Sequence, residues 1–295
     1  MQGSRYTPER KYYRRRFMKI PWLRRNFVAR RWLDRLFLDA PDYAFRIVTG
    51  RSHWPPYSLR SFVGGAQRFD EVGRWFLGEF KSLGLFTLGA RVLDIGCGCG
   101  RLAYTLAADE TLRKLRINYV GMDVDQASVR WCQRHITPLN PLFTFYRADC
   151  YNSSYNPRGT IAAADYRFPH DDSSFEVLLL TSVLTHVMEE ELRHYLQEAF
   201  RVLAPGGVAY ASFFLYQDAA EVTFGLDRHG IAFPFAKSHH ALNREDFPTN
   251  AVAYQETFVR SVIEEVGLRL IKPPQYGAQD LLLLQRPYEV CPQTW

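Results

Sequence analysis

A glycine-rich segment near residue 96 has the residue types and spacing that bind a nucleotide. An apolar run at residues 92–95 leads into Gly96, Gly98 and Gly100, and Arg101 follows directly. Glycine tolerates positive φ and lets a ligand approach the backbone closely. Apolar residues then recur at helical spacing, and the first turn of a helix offers unpaired N–H groups to a polar cofactor. The segment predicts a buried strand, a glycine turn and a helix that bind a nucleotide-type cofactor.

The glycine loop alone is compatible with two kinds of cofactor. A dinucleotide fold uses G-x-G-x-x-G with an acidic residue about 20 positions later, and residues 98–103 fit its looser form ending in alanine. An S-adenosylmethionine loop instead has an acid inside the strand, followed by three alternating glycines. Asp94, two positions before Gly96, fits that pattern without adjustment.

Acidic residues at the ends of two later strands favour the methyl donor. Asp123 ends an apolar run at residues 119–123, where a carboxylate can accept both ribose hydroxyls, and Asp149 ends a third run at residues 143–149. A fourth strand is predicted at residues 174–181, a helix stop at 201–207 and a fifth strand at 208–215. In this order, the motifs resemble those of the class I S-adenosylmethionine-dependent methyltransferases.

The resemblance implies an α/β fold and a set of cofactor contacts. The fold is a Rossmann-like seven-stranded sheet, mostly parallel and flanked by helices, that ends in an antiparallel hairpin. Residues 268–271 and 280–284 supply that hairpin, which a dehydrogenase would not ordinarily have. The residues expected to bind S-adenosyl-L-methionine are Asp94, Gly96, Cys97, Gly98, Gly100, Arg101, Asp123, Val124, Asp149, Cys150 and Thr181.

Each of these residues is expected to contact a different part of the cofactor. Asp94 is expected at the methionine ammonium or supporting the loop, and Asp123 at the ribose. Asp149, with the backbone N–H of Cys150, is expected at the adenine edge. Arg101 opens a helix, where a cation is unfavourable for the helix dipole, so a carboxylate or phosphate partner would explain its position.

Catalysis needs few residues, because the sulfonium of the donor is already reactive. The enzyme mainly supplies proximity, and a base is needed only for a protonated acceptor. His186, just beyond the fourth strand, is the candidate base; packing beside the cofactor is its alternative role. Tyr155 and Arg158 are candidates for the acceptor pocket, and no metal site is expected from the spacing of His239 and His240.

A narrower resemblance suggests the acceptor. Matching motifs, which extend over about residues 55–286, lie at Asn152, 155–159, 168–169, 182–186, 211–215 and 279–280. They resemble a bacterial subgroup of uncharacterised methyltransferases thought to act on glycans or cell-surface polymers. O-methylation of a glycan or lipid-linked acceptor is therefore expected. The alternatives are a small-molecule or nucleic-acid acceptor, or a non-catalytic partner protein that binds S-adenosylmethionine.

Basic charge is concentrated at the N-terminus. Residues 1–35 contain 12 Arg or Lys and 2 acids, a net of +10, whereas the whole chain is +6 and the remainder therefore −4. Residues 1–60 are predicted to be a basic, aromatic extension with a helix from Pro21 to about Leu38, and 61–288 the methyltransferase domain. That helix could lie on an anionic membrane, bind nucleic acid, or pack on the domain or a partner subunit. Segments 149–168 and 216–254 are expected to cover the site.

Composition indicates a globular protein in a reducing compartment. The chain of 295 residues is 47% hydrophobic and has five cysteines without metal-binding spacing. It has no run of 18 apolar residues and no signal-peptide core. A cytoplasmic location is expected, with peripheral attachment at the inner face of the membrane as a further expectation.

Overall fold

The computed structural model describes residues 27–63, 66–218 and 230–288. Its main element is a seven-stranded sheet, as the predicted fold class requires. The strands are β1 (Arg91–Ile95), β2 (Asn118–Asp123), β3 (Phe143–Arg147), β4 (Phe175–Leu180), β5 (Leu203–Phe213), β10 (Arg269–Leu270) and β11 (Asp280–Gln285). Across the sheet they lie in the order β10-β11-β5-β4-β1-β2-β3.

Five strands of the sheet run parallel and two close it with an antiparallel edge. Strands β1 to β5 pair in parallel, whereas β11 pairs antiparallel with both β5 and β10. Neighbouring residues on a strand enter different cores: Val92 packs in one apolar cluster and Leu93 in the other. A parallel sheet is buried on both faces in this way, which explains the continuous apolar runs in the sequence.

Helices cover both faces of this sheet. They are α1 (Phe27–Phe37), α2 (Asp39–Val48), α3 (Tyr57–Arg60), α4 (Phe69–Ser82), α5 (Arg101–Ala108), α6 (Glu110–Lys114), α7 (Gln126–His135), α8 (Glu189–Val202) and α9 (Glu256–Glu265). Asp125 caps the N-terminus of α7, because its carboxylate accepts the N–H of Ser128 at 2.9 Å.

The two predicted cover segments differ in structure. Residues 149–168 are irregular, with isolated bridges from Cys150 to Ile161 and from Asn152 to Asn156. The second segment contributes to a small sheet that the sequence pattern did not predict, of order β6-β9-β8-β7. Its strands are β6 (Leu215–Tyr216), β7 (Phe235–Ala236), β8 (His240–Leu242) and β9 (Val252–Gln255), with a 3₁₀ turn at Pro248–Asn250 before β9.

Part of the apolar face of the N-terminal helix is exposed. The part of the predicted helix before Phe27 lies outside the described residues. In α1, Trp32, Leu36 and Phe37 are more than half exposed, whereas Arg31 points inward. Among the described residues, no helix is long and apolar enough to cross a membrane.

Candidate active site

The glycine loop after β1 has the backbone conformation that only glycine adopts easily. Gly96 and Gly98 have φ angles of +74° and +55°, and the N–H groups of Gly96 and Cys97 both donate to the carbonyl oxygen of Met122. A Cβ on Gly96 would lie 2.5 Å from Cγ2 of Val183, and one on Gly98 would lie 2.6 Å from Cγ1 of Val63. These two positions therefore require glycine for conformation and for space.

A cavity of about 390 Å³ opens beside this loop, at the carboxyl ends of β1, β2, β3 and β4. That is where open α/β sheets bind their ligands, and the volume suits a nucleotide-sized molecule. The predicted site residues that line the cavity are Asp94, Gly96, Cys97, Gly98, Arg101, Asp123, Val124, Cys150, Tyr155, Thr181 and His186.

Asp94 is buried in the cavity wall with half of its carboxylate unsatisfied. The hydroxyl of Tyr119 donates to Oδ2, while Oδ1 is buried and has no hydrogen-bond partner within the described part of the chain. Burial raises the pKa of this carboxyl to about 7, although the Tyr119 bond acts in the opposite direction. A buried carboxylate oxygen without a partner is costly, so the site favours a cationic or hydrogen-bond-donating ligand group.

Asp123 joins the end of β2 to the glycine loop. Its Oδ2 accepts the N–H of Gly98 and its Oδ1 accepts the N–H of Asp125, both at 2.7 Å. Burial raises its pKa to about 6, partly opposed by these two N–H donors. Each carboxylate oxygen has more than one acceptor site, so the bonds fix the orientation of the side chain and leave capacity for ligand hydroxyls.

Three predicted site residues lie outside the cavity lining. The Asp149 carboxylate is half exposed and accepts the hydroxyl of Thr160 at 2.5 Å, although its neighbours Ala148 and Cys150 line the cavity. Arg158 is exposed. The φ of Gly100 is +75°, and a Cβ there would lie 2.3 Å from Cδ1 of Ile136, so this position also requires glycine. The adenine contact of Asp149 stays a prediction that this arrangement does not support.

His186 lies in a 3₁₀ turn (Leu184–His186) after β4 and lines the cavity. Its Nδ1 is 3.1 Å from the carbonyl oxygen of Thr249. A carbonyl only accepts, so the proton of a neutral ring is on Nδ1 and the lone pair on Nε2. Burial lowers the pKa of His186, against the opposing effect of the Thr249 and Asn250 carbonyls. An uncharged imidazole with a free lone pair can accept a proton.

Gln279 and Arg31 are among the cavity residues that were not predicted as site residues. Gln279 lines the cavity, and its Oε1 accepts the hydroxyls of Ser182 at 2.9 Å and Ser212 at 2.8 Å. Ser182 has a φ of +59°, which is uncommon for a residue other than glycine and is often found at functional sites. Arg31 of α1 also lines the cavity. The adjacent residues Gln279 and Asp280 form one of the motifs of the narrower resemblance, whereas no sequence signal singled out Arg31.

The sequence and the fold were compared with those of known proteins. Residues 92–207 match the family described as a methyltransferase domain. A 142-residue stretch is 28% identical to the 27-O-demethylrifamycin SV methyltransferase of Amycolatopsis mediterranei (strain S699), covering 48% of this chain and 44% of that protein. The chain thus spans less than half the length of this curated relative.

Solved structures agree in fold. A methyltransferase from Methanosarcina mazei, described as S-adenosylmethionine-dependent, has a TM-score of 0.50 at 19% identity, over 71% of this chain and 98% of that one. A protein from Pyrococcus horikoshii OT3 has a TM-score of 0.51 at 17% identity, over 72% and 90%. At these identities the likeness establishes the fold.

Proposed function

We propose that this chain, a class I S-adenosylmethionine-dependent methyltransferase by its domain and fold, methylates an oxygen of a glycan or lipid-linked acceptor. The observation that carries the proposal is the cavity beside the glycine loop. It is lined by Asp94, whose buried Oδ1 has no partner in the described chain, and by His186, whose ring can accept a proton.

The residues of the cavity fit the cofactor of this class. The unpaired Oδ1 of Asp94 suits the ammonium of a methionine moiety, and Arg101 lines the same cavity and suits its carboxylate. Gly96 and Gly98 allow close approach of the ligand to the backbone, and Asp123 has acceptor capacity for the ribose hydroxyls. When bound, S-adenosylmethionine supplies a methyl group on a positively charged sulfur.

The chain contributes binding, orientation and proton transfer. Strands β1, β2 and β3 would hold the cofactor. Thr181 and His186 line the cavity after β4, Gln279 lines it just before β11, and Thr249 lines it from the 3₁₀ turn before β9. His186 would accept, at Nε2, the proton of an acceptor hydroxyl bound there. Orientation of the two reactants for in-line displacement supplies most of the rate enhancement.

The choice of an oxygen acceptor has support from the curated relative. Its name states that it methylates 27-O-demethylrifamycin SV. A small-molecule hydroxyl is therefore the second candidate acceptor for this chain. A glycan or lipid-linked acceptor is preferred because of the narrower motif resemblance and the basic N-terminal extension.

Peripheral membrane association is the accompanying proposal. Residues 1–35 have a net charge of +10, and Trp32, Leu36 and Phe37 expose apolar surface on α1. Cationic and exposed aromatic side chains together favour an anionic lipid surface. Cosedimentation with phosphatidylglycerol vesicles, and not with phosphatidylcholine vesicles, is expected; equal sedimentation in both would contradict the charge argument.

The activity is tested with radiolabelled S-adenosylmethionine and fractionated cell lysate. Label entering the lipid or polysaccharide fraction supports the proposed acceptor, and label in the small-molecule fraction supports the second candidate. His186→Gln should bind S-adenosylhomocysteine normally but transfer little label. Absence of label from all fractions with wild-type protein that binds S-adenosylhomocysteine would overturn the proposed activity in favour of a binding protein.

A further inference from the structure

An arginine of the N-terminal extension reaches the cofactor cavity. Arg31 on α1 forms an ion pair with Asp125, 94 residues away, and only 17% and 8% of the two side chains are exposed. Nε of Arg31 is buried and has no hydrogen-bond partner within the described part of the chain. Arg35, one turn later on the same helix, is exposed. The two arginines thus have different surroundings although they share a helix.

The ion pair lies within a wall of the cavity that the extension and the loop after it supply. The guanidinium groups of Arg30 and Arg31 each lie 4.6 Å from the ring centre of Phe62. Phe62 meets Tyr155 edge to face at 6.2 Å, and both rings line the cavity. Val63 packs directly against Gly98, because a Cβ on Gly98 would lie only 2.6 Å from Cγ1 of Val63.

This wall faces a concentration of negative charge. The N–H of Asp125 donates to Asp123, so the two carboxylates are neighbours at the end of β2, and Asp94 adds a third charge close by. Among the described residues, Cys97, Tyr155 and Arg31 also interact electrostatically with Asp123, while Arg30 lies near Tyr155 and Arg101 near Asp94. Within that part of the chain, Arg31 is the cation that forms an ion pair with Asp125. Without a counterion, neighbouring buried carboxylates disfavour each other's ionisation.

We propose that Arg31 is a positioning residue of the cofactor site, which compensates the Asp123–Asp125 carboxylates and so makes the N-terminal extension part of that site. The inference rests on the proposed binding of the cofactor ribose by Asp123. Removal of the guanidinium should leave two adjacent buried carboxylates and raise the pKa of Asp123, since Arg31 now lowers it. Ribose binding then weakens, most of all at low pH.

A matched pair of variants tests the proposal. Arg31→Met removes the charge and keeps an apolar stem against Phe62, whereas Arg35→Met removes the same charge from an exposed site on the same helix. Binding of S-adenosylhomocysteine is measured by titration calorimetry at pH 6 and pH 8. If the pKa of Asp123 rises from about 6 to about 7, its ionised fraction falls about fivefold at pH 6 and hardly at pH 8. We therefore expect R31M to bind about fivefold more weakly than wild type at pH 6 and nearly as well at pH 8, and R35M to match wild type at both.

Two further variants separate charge compensation from a structural role. Arg31→Lys should keep most of the affinity. Asp125→Asn in the R31M background should recover part of it, because the amide still caps α7 while the uncompensated charge is gone. These two comparisons also decide the matter if R31M alone proves unstable in thermal unfolding.

Specific outcomes would overturn the proposal. Equal affinities of R31M and R35M at both pH values would refute it. So would failure of D125N to recover any affinity. If wild-type protein does not bind S-adenosylhomocysteine, the proposed function itself is refuted.

Discussion

Binding of S-adenosylhomocysteine should be strongly pH-dependent, because the cavity contains a carboxyl with a raised pKa. Asp94 titrates near pH 7 in the free protein. A ligand ammonium beside its unpaired Oδ1 would stabilise the charged form and lower this pKa. Affinity therefore rises with pH through neutrality, since fewer protein molecules must lose a proton in order to bind.

The size of the effect follows from the ionised fraction. With a pKa of about 7, Asp94 is about one-tenth ionised at pH 6 and about nine-tenths at pH 8, which changes the affinity about tenfold. Asp123, with a pKa of about 6, adds a factor of about two over the same interval. The predicted increase in affinity from pH 6 to pH 8 is therefore about 20-fold.

Titration calorimetry measures both the affinity and the proton release. In buffers of different ionisation enthalpy, more than one proton should be released per site at pH 6 and about 0.1 at pH 8. Asp94→Asn should abolish the Asp94 part and leave only about a twofold change. Constant affinity of wild-type protein from pH 6 to pH 8, or an unchanged profile in D94N, would refute the assigned role of Asp94.

Four further variants extend the account. The pKa of Asp94 is near 4 in the unfolded chain and about 7 in the folded one, so its ionisation destabilises the fold as the pH rises through this range. D94N should therefore raise the melting temperature of the ligand-free protein at pH 8, and an unchanged or lower melting temperature would contradict this. Asp123→Ala should weaken S-adenosylhomocysteine binding by about 1–3 kcal/mol in calorimetry, because two ribose hydroxyls lose their acceptor; unchanged affinity would remove Asp123 from the site. His186→Gln should lower the rate of label transfer by about 10²-fold or more without changing cofactor affinity, and wild-type turnover would exclude a base at this position. Gly98→Ala should lower the free energy of unfolding by about 1–3 kcal/mol in urea, because the position combines a φ of +55° with contact to Val63; full stability would show that the loop relaxes.

Local patterns predicted the cofactor half of the site well. The spacing of Asp94, Gly96 and Gly98 specifies one strand and one turn, and these residues line the cavity together. Asp123 ends its strand as predicted, and Asp125 two residues later caps the next helix. Each of these features depends on a few neighbouring residues, which is why the sequence pattern suffices.

Features that depend on distant contacts could not be predicted in this way. The partner of Arg31 is 94 positions away, and the pattern of α1 places its arginines on the polar face whether they are exposed or buried. Gln279 is recruited by serines from two other strand ends. The carboxylate of Asp149 accepts the hydroxyl of Thr160 from the irregular segment, a contact that the strand pattern does not indicate, and the adenine contact of Asp149 stays a prediction.

The crystal structure of the protein with S-adenosylhomocysteine would test the central claim most directly. The account predicts that the ligand fills the cavity beside the glycine loop, with its ammonium at Oδ1 of Asp94 and its ribose hydroxyls at Asp123. The thioether sulfur should lie towards His186, on the acceptor side. Density elsewhere in the protein, or a ligand in the cavity without contact to either carboxylate, would contradict the account.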